Sequence, residues 1–186
     1  RKKMAHIGIF LADGFEEIEA LTVVDLCRRA GIQTDMVSIQ EEREVKGSHK
    51  IAVQADKTFE EVDFEALDMI VLPGGMPGTK HLEAHEELMT QVDAFFQAGK
   101  CLSAICAAPS ILGHRGILKG RKACCYPGFE EALTGAEVVY EETITDGAIT
   151  TARGMGCAIA FGLAIVARFC GEEKAALLGE NVIYRQ

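Results

Sequence analysis

Three segments of the sequence carry residues whose types and spacing could do chemistry. The first contains Cys106, which lies between an apolar stretch and a helical one and has small residues on both sides. A nucleophile on a sharp strand-to-helix turn needs small neighbours, because the turn brings side chains close together. Such a turn also puts the sulfur at a helix N-terminus, where free N–H groups favour a thiolate. The pattern predicts a reactive thiol; an inert cysteine that closes a buried strand is the alternative.

The second segment, Pro73-Gly74-Gly75, follows another apolar stretch. Glycine has no side chain, so the backbone of Gly74 and Gly75 can turn its N–H groups toward a neighbouring site. N–H groups in such a position stabilise the negative oxygen that forms when a nucleophile attacks a carbonyl group. The glycine pair therefore predicts part of an oxyanion hole, and a tight turn without a catalytic role is the alternative.

The third segment, residues 13–19, places three glutamates at the predicted start of a helix. For Glu16 and Glu17 a favourable interaction with the helix dipole is a sufficient explanation. Glu19 differs, because apolar residues flank it and it could face a cleft. Loss of water there would raise the pKa of the carboxyl and keep it protonated. A protonated carboxyl can donate a hydrogen bond to a thiolate or act as a general acid and base.

The spacing of apolar residues predicts the elements that position these segments. Predicted strands cover residues 5–12, 34–39, 51–54, 68–72, 101–105, 121–125, 137–142 and 148–152, with an Asp146-Gly147 hairpin turn between 143–145 and the last strand. Predicted helices cover residues 16–30, 86–98, 129–133, 156–170 and 172–178, with one more ending near 113, and residues 45–48 are predicted to turn. This alternation predicts one α/β domain over residues 1–186, with a mostly parallel sheet and helices on both faces. Function in such folds gathers at the carboxyl ends of the strands.

The composition limits the classes of function. The formal net charge of −9 argues against a general nucleic-acid binder, although a basic cluster over residues 115–122 leaves an RNA-binding module as a weaker alternative. No apolar run approaches the roughly 18 residues of a membrane-spanning helix, and acidic residues interrupt the apolar start, so neither a span nor a signal peptide is expected. Seven cysteines without a secretory signal indicate reduced thiols in the cytoplasm. Without a C-x-x-C pair, no metal site is predicted.

Taken together, the three segments resemble the ThiJ/PfpI superfamily. The resemblance is strongest to its short subgroup, which contains the parkinsonism-associated deglycase-type protein and bacterial ThiJ/YajL-like proteins. The matching stretches run through almost the whole chain: Leu11–Glu19, Val24-Asp25, Arg28–Gly31, Val71–Gly75, Ala104–Pro109, Thr151–Gly154 and Gly156.

The resemblance implies a flavodoxin-like three-layer sandwich and a homodimer. It implies that Cys106 is the nucleophile and that Glu19 is a protonated acid hydrogen-bonded to its sulfur. The backbone of Gly75 and Ala107 would supply the oxyanion donors. Arg153 matches an arginine near the pocket, where its charge favours an anion; an ion pair with a structural or dimer-interface role is the alternative.

The sequence departs from the family pattern at two positions. Peptidase-type members carry histidine directly after the nucleophile, where this chain has Ala107, so proteolysis is not expected. Relatives in the short subgroup often have histidine before a proline where this chain has Tyr126, a poor base near neutral pH. Tyr126 and Glu16 are candidate pocket residues. The histidines lie outside the matched segments: His6, His49, His81, His85 and His114. The i, i+4 pair among them, His81 and His85, predicts a solvated helix face rather than a metal site.

Two functions fit a site built from Cys106 and Glu19 without a histidine base. The first is a cofactor-free glyoxalase III-type or deglycase-type enzyme, in which the thiolate attacks a small reactive carbonyl compound such as methylglyoxal. The second is a non-enzymatic sensor of oxidative stress or a redox-regulated chaperone, in which peroxide oxidises the same thiol to a sulfinate. Both functions use the same residues, so the sequence does not separate them.

Overall fold

A computed structural model describes residues 3–185 and shows a seven-stranded sheet between two layers of helices. The strands are β1 His6–Leu11, β2 Gln33–Ser38, β3 Glu44–Lys46, β4 Ala52–Gln54, β5 Lys57–Thr58, β6 Met69–Leu72, β7 Cys101–Ile105, β8 Lys122–Ala123, β9 Glu137–Val138, β10 Thr143–Asp146 and β11 Ile149–Ala152. The helices are α1 Glu17–Arg29, α2 Gly78–Ala84, α3 Glu86–Gln97, α4 Pro109–His114, α5 Ala158–Cys170 and α6 Glu172–Asn181. Short 3-10 turns cover Phe59–Glu61, Phe64–Ala66, Glu130–Ala132 and Met155–Cys157.

The central sheet has the strand order β10-β11-β7-β6-β1-β2-β5. Every neighbouring pair in it is parallel except β10 and β11, which form an antiparallel hairpin at one edge. The predicted mostly parallel α/β sandwich is therefore confirmed. A parallel sheet aligns the carboxyl ends of its strands along one edge, so the loops that follow β11, β7, β6 and β1 are neighbours there.

Both faces of the sheet are covered, because successive side chains of a strand point to opposite sides. In β1, Ile7, Ile9 and Leu11 enter the core on the α1, α5 and α6 side, whereas Phe10 enters the core on the α3 and α4 side. All four side chains are fully buried. This double burial explains why the strand is a nearly continuous apolar run rather than an alternating one.

Some predicted boundaries are wrong. The predicted turn at residues 45–48 overlaps β3, which pairs with β4 in a separate two-stranded sheet. Val45 is buried in the core, which explains why this segment is extended. The predicted strands 121–125 and 137–142 shorten to β8 and β9, which pair with each other outside the central sheet. The sequence analysis does not predict α2, because this helix begins directly after a loop rich in proline and glycine, and those residues indicate a turn.

Candidate active site

Cys106 lies on a strained turn between β7 and α4. Its φ angle is 67°, in the left-handed region that residues other than glycine rarely adopt. Two backbone hydrogen bonds hold the turn: the Cys106 N–H donates to the Ala152 carbonyl at the end of β11 (2.9 Å), and the Tyr126 N–H donates to the Cys106 carbonyl (2.9 Å). The half-buried side chain therefore has a backbone fixed from two sides, as a nucleophile elbow requires.

Glu19 lies in the first turn of α1 and reaches the same site. Its side chain is 1% exposed, and its Oε1 accepts a hydrogen bond from the Gly74 N–H at 3.0 Å. Its Oε2 has no hydrogen-bond partner within residues 3–185. A buried carboxyl oxygen without a partner is costly when it is ionised, so the site favours a proton or a donor at this atom.

The two glycines are required by close contacts. A Cβ atom on Gly74 would lie 2.6 Å from Glu19 Oε1 and 2.7 Å from the Cys106 Cβ. Gly75 has a φ angle of 94°, and a Cβ atom there would overlap the Glu16 backbone nitrogen. The Gly74 N–H is occupied by Glu19, whereas in the described chain the Gly75 N–H has no acceptor. Gly75 is therefore the better placed of the two for an oxyanion.

Burial dominates the electrostatics of the Cys106–Glu19 pair. Loss of water raises the pKa of the Glu19 carboxyl to about 7, and the charge of Glu16 acts in the same direction. Loss of water, followed by the charge of Glu19, raises the pKa of the Cys106 thiol to about 12, while the Ala107 N–H opposes this. The expectation that a helix N-terminus lowers the thiol pKa is therefore wrong while Glu19 is ionised. Helix α4 begins only at Pro109, so its dipole does not outweigh burial and a neighbouring carboxylate.

Arg153 and Tyr126 lie beside the elbow. Arg153 follows β11, and its Nε donates to the Cys125 carbonyl at 3.4 Å. Its guanidinium carbon lies 5.3 Å from the centroid of the Tyr140 ring, and it forms no ion pair with a carboxylate of residues 3–185. Tyr126 is half exposed, and its ring lies next to Gly154. The ion pair considered for Arg153 is not formed within the described part of the chain.

The structure adds His49, a residue that the sequence analysis did not connect with the site. The turn between β3 and β4 places the His49 Nδ1 3.2 Å from Glu16 Oε1 and 3.3 Å from Glu17 Oε1. Potential metal-ligating atoms of these three residues lie within 4.8 Å of one another, and the contact between His49 and Glu17 is also a hydrogen bond. No local signal could have found His49, because it lies 32 residues from Glu17 along the chain.

The other histidine pair is separated by the fold. His81 is in α2, and its Nδ1 lies 2.9 Å from the Asp13 carbonyl oxygen. His85 lies between α2 and α3, where its Nδ1 accepts the Leu88 N–H at 3.0 Å and its ring packs on Phe59. The predicted single solvated helix face is therefore wrong: the chain breaks between the two residues, and His85 caps the second helix.

The fold and the site define an α/β protein with a cysteine on a strand-to-helix elbow and a buried carboxyl beside it. The model of the DJ-1/PfpI family matches residues 5–168. The chain is 36% identical over 179 residues to protein DJ-1 homolog A of Arabidopsis thaliana, covering 96% of this chain and 46% of that protein. It is 32% identical over 138 residues to the Pyrococcus horikoshii protein named deglycase PH1704, covering 73% of this chain and 82% of that protein.

Solved structures agree with these sequence relatives. The oxidized DJ-1 of Toxoplasma gondii superposes with a TM-score of 0.93 at 30% identity, covering 98% of this chain and all of that one. The chain belongs to the DJ-1/PfpI family. It spans about half the length of the Arabidopsis relative, so the activity of that whole protein is not transferred to it.

Proposed function

We propose that the protein is a cysteine-dependent, cofactor-independent enzyme of the glyoxalase III or deglycase type, acting on small reactive carbonyl compounds such as methylglyoxal. The observation that carries the proposal is the placement of a half-buried thiol on a strained elbow beside a buried carboxyl whose Oε2 has no hydrogen-bond partner in the described chain. Relatives named deglycases support the reaction class. The test is steady-state formation of lactate from methylglyoxal by the wild-type protein and by Cys106→Ser.

The proposed reaction begins with attack of the Cys106 sulfur on the aldehyde carbon of methylglyoxal. As the C–S bond forms, the thiol proton passes to Glu19 and the carbonyl electrons move to oxygen. The N–H groups of Gly75 and Ala107 stabilise this oxygen, which then takes the proton from Glu19 to give a hemithioacetal. The site must stay closed to bulk water during this exchange, and the burial of Glu19 supports that.

The hemithioacetal is then converted to product by proton transfer. Glu19 removes the proton from the former aldehyde carbon to give an enediolate and returns it to the neighbouring carbon, while the hydroxyl proton moves from the first oxygen to the second, which leaves a thioester of lactate on Cys106. Water hydrolyses the thioester and releases lactate and the free thiol. One carbon is oxidised and the other is reduced, so methylglyoxal and water give lactate without an external oxidant, reductant or cofactor.

The proposal also covers peptidase activity and the cellular compartment, two points of the sequence-based hypothesis. Peptidase activity is not proposed, because Ala107 offers no imidazole beside Cys106 to act as a general base. A reducing compartment such as the cytoplasm is proposed, because all seven cysteines are free thiols.

Across residues 3–185, no helix combines the length and the apolar character needed to cross a bilayer.

A redox sensor, alone or as a redox-regulated chaperone, is the second candidate function. Two equivalents of peroxide would convert the Cys106 thiol to a sulfinate, each step transferring one oxygen to sulfur and releasing water. The unpartnered Glu19 Oε2, when protonated, could donate to a sulfinate oxygen. The likeness to a DJ-1 structure described as oxidized supports this candidate.

Limiting peroxide tests the sensor function. We expect Cys106 to be oxidised before the other six thiols, because the Glu19 carboxyl beside it can take the thiol proton and because Cys106 is half buried, whereas Cys27, Cys124 and Cys125 are buried. Peptide mapping by mass spectrometry after a substoichiometric dose measures the order. Oxidation of Cys124 or Cys125 ahead of Cys106 would contradict the sensor function.

We also propose that the protein forms a homodimer through an apolar face on α1, α5 and the β3–β4 hairpin. The face consists of Ile18, Leu21, Ile51, Ile159 and Val182, which line one surface groove of about 500 Å³. Ile18 and Ile51 are half exposed in the single chain. A second copy would remove this apolar surface from water.

Sedimentation equilibrium tests the homodimer. We expect the wild-type protein to have the mass of a dimer and Leu21→Asp to have the mass of a monomer, because a carboxylate in the centre of the face must lose its water. Leu177→Asp is the control, since Leu177 is a leucine on α6 that is 56% exposed and lies outside this face. A monomeric wild-type protein would refute the proposal.

A further inference from the structure

The exposed imidazole of His49 lies at the rim of the Cys106 site and bridges two carboxylates. Its Nδ1 is 3.2 Å from Glu16 Oε1 and 3.3 Å from Glu17 Oε1. The His49 side chain is 73% exposed, whereas those of Glu16 and Glu17 are 12% and 5% exposed. An imidazole that faces solvent and contacts two largely buried carboxylates can hold both of them and offset part of their charge when it is protonated.

Glu17 places this imidazole. Its Oε2 accepts the N–H groups of His49 (2.9 Å) and Ile51 (3.2 Å), and its Oε1 accepts the Ser48 hydroxyl (3.4 Å). Burial alone would raise the pKa of Glu17, but these N–H groups and the His49 side chain lower it overall. The tip of the β3–β4 hairpin is therefore held on the start of α1 by one carboxylate.

Glu16 connects His49 with the reacting pair. The Glu16 N–H donates to the Gly74 carbonyl at 2.9 Å, and Gly74 packs against both Glu19 and Cys106. The charge of Glu16 is one cause of the raised pKa of both Cys106 and Glu19. Glu17 is not among those causes, so Glu16 is the carboxylate whose charge matters at the sulfur.

We propose that His49 is a positioning residue that holds the Glu16 carboxylate at the rim and offsets its charge, and thereby sets the electrostatic potential at Cys106. His49 acts through Glu16, without contact with the substrate. The inference concerns the reactivity of the sulfur itself. It therefore stands whether the protein turns over methylglyoxal or senses peroxide, and it goes beyond the proposed enzymatic function.

Alkylation of Cys106 by a neutral and an anionic reagent tests the proposal. Second-order rates with iodoacetamide and iodoacetate are measured at a fixed pH of about 6.5 by mass spectrometry of the Cys106 peptide. In His49→Gln we expect the iodoacetate rate to fall about three- to tenfold more than the iodoacetamide rate, because a negative charge at the rim is no longer offset. The ratio of the two rates is independent of the fraction of folded protein.

A double-mutant cycle shows whether His49 acts through Glu16. In the Glu16→Gln background, His49→Gln should leave the reagent ratio unchanged, because the charge that it offsets is gone. His49→Arg should restore the wild-type ratio, since it keeps a cation. His114→Gln is the matched control, because His114 is another exposed histidine whose Nδ1 contacts a glutamate, Glu83, at 2.7 Å.

Two results would overturn the proposal. The first is an unchanged reagent ratio in His49→Gln; if both rates then fall by the same factor, the hairpin has a purely structural role. The second is an equal fall of the ratio with Glu16 and with glutamine at that position, which would place the effect elsewhere. Neither result depends on lactate formation, so failure here and failure of the proposed enzyme function are distinguishable.

Discussion

Cys106→Ser is expected to lower kcat/KM for the conversion of methylglyoxal to lactate by at least about a thousandfold. A serine hydroxyl is a much weaker nucleophile than a thiol, and the site has no histidine next to residue 106 to activate it. The substitution removes little volume from a half-buried position, so the fold should persist. Steady-state lactate assays at several substrate concentrations separate kcat from KM.

The matched control for this prediction is Cys101→Ser. Cys101 is also half buried and lies at the start of β7, the strand whose other end leads into the elbow. We expect this variant to keep wild-type activity. Undiminished lactate formation by Cys106→Ser would exclude the proposed enzyme mechanism, and equal losses in both variants would indicate an effect of folding.

Glu19→Gln is expected to lower kcat about a hundred- to ten-thousandfold, because it removes the group that carries the proton between sulfur, oxygen and carbon. The amide oxygen of glutamine can still accept the Gly74 N–H, so the loop after β6 should stay in place. The loss should therefore appear in kcat more than in KM. Retention of more than about a tenth of wild-type kcat would contradict the role of Glu19 as the proton carrier.

The pH dependence of the wild-type enzyme follows from the same pair. The reactive state holds one proton shared by Glu19 and Cys106, either as carboxylate and thiol or as carboxyl and thiolate, and both arrangements have the same dependence on pH. Burial raises the pKa of Glu19 to about 7. Below that value both groups are protonated, so kcat/KM should rise about tenfold per pH unit up to pH 7 and level off above it. Glu19→Gln should lose this inflection.

The stability of Glu19→Gln provides an independent measurement of the buried charge. The folded-state pKa of Glu19 lies above its unfolded value of 4.5, so the folded protein binds the extra proton below about 7. The stabilising contribution is present below pH 4.5 and is lost as the pH rises through 7. Relative to the wild-type protein, the free energy of unfolding of Glu19→Gln should therefore increase between these two pH values. A constant difference over this range would show that folding does not raise the pKa of Glu19.

Much of the fold could be predicted from local patterns. Strands β1, β6 and β7 are buried on both faces and are therefore short, nearly continuous apolar runs with clear ends. Glycine and proline mark the loops that follow them, and the Asp146-Gly147 turn predicts the hairpin at the sheet edge, which the structure confirms. The predicted strands 121–125 and 137–142 are longer than the observed ones, because β8 and β9 lie outside the central sheet and pair with each other over two residues.

Within the site, the sequence by itself determined which side chains share the edge of the sheet. Cys106, Glu19 and the glycine pair each follow or adjoin the end of a strand, and the parallel arrangement brings those ends together. Tertiary structure alone decided the ionisation of the pair, because pKa values depend on burial and on charges from other segments. It also decided the place of His49, since a hairpin far along the chain is attached to α1 by the Glu17 carboxylate. Hydrogen bonds and ion pairs between distant segments follow no periodic pattern in a sequence, so the position of His49 beside Glu16 and Glu17 could not be predicted from it.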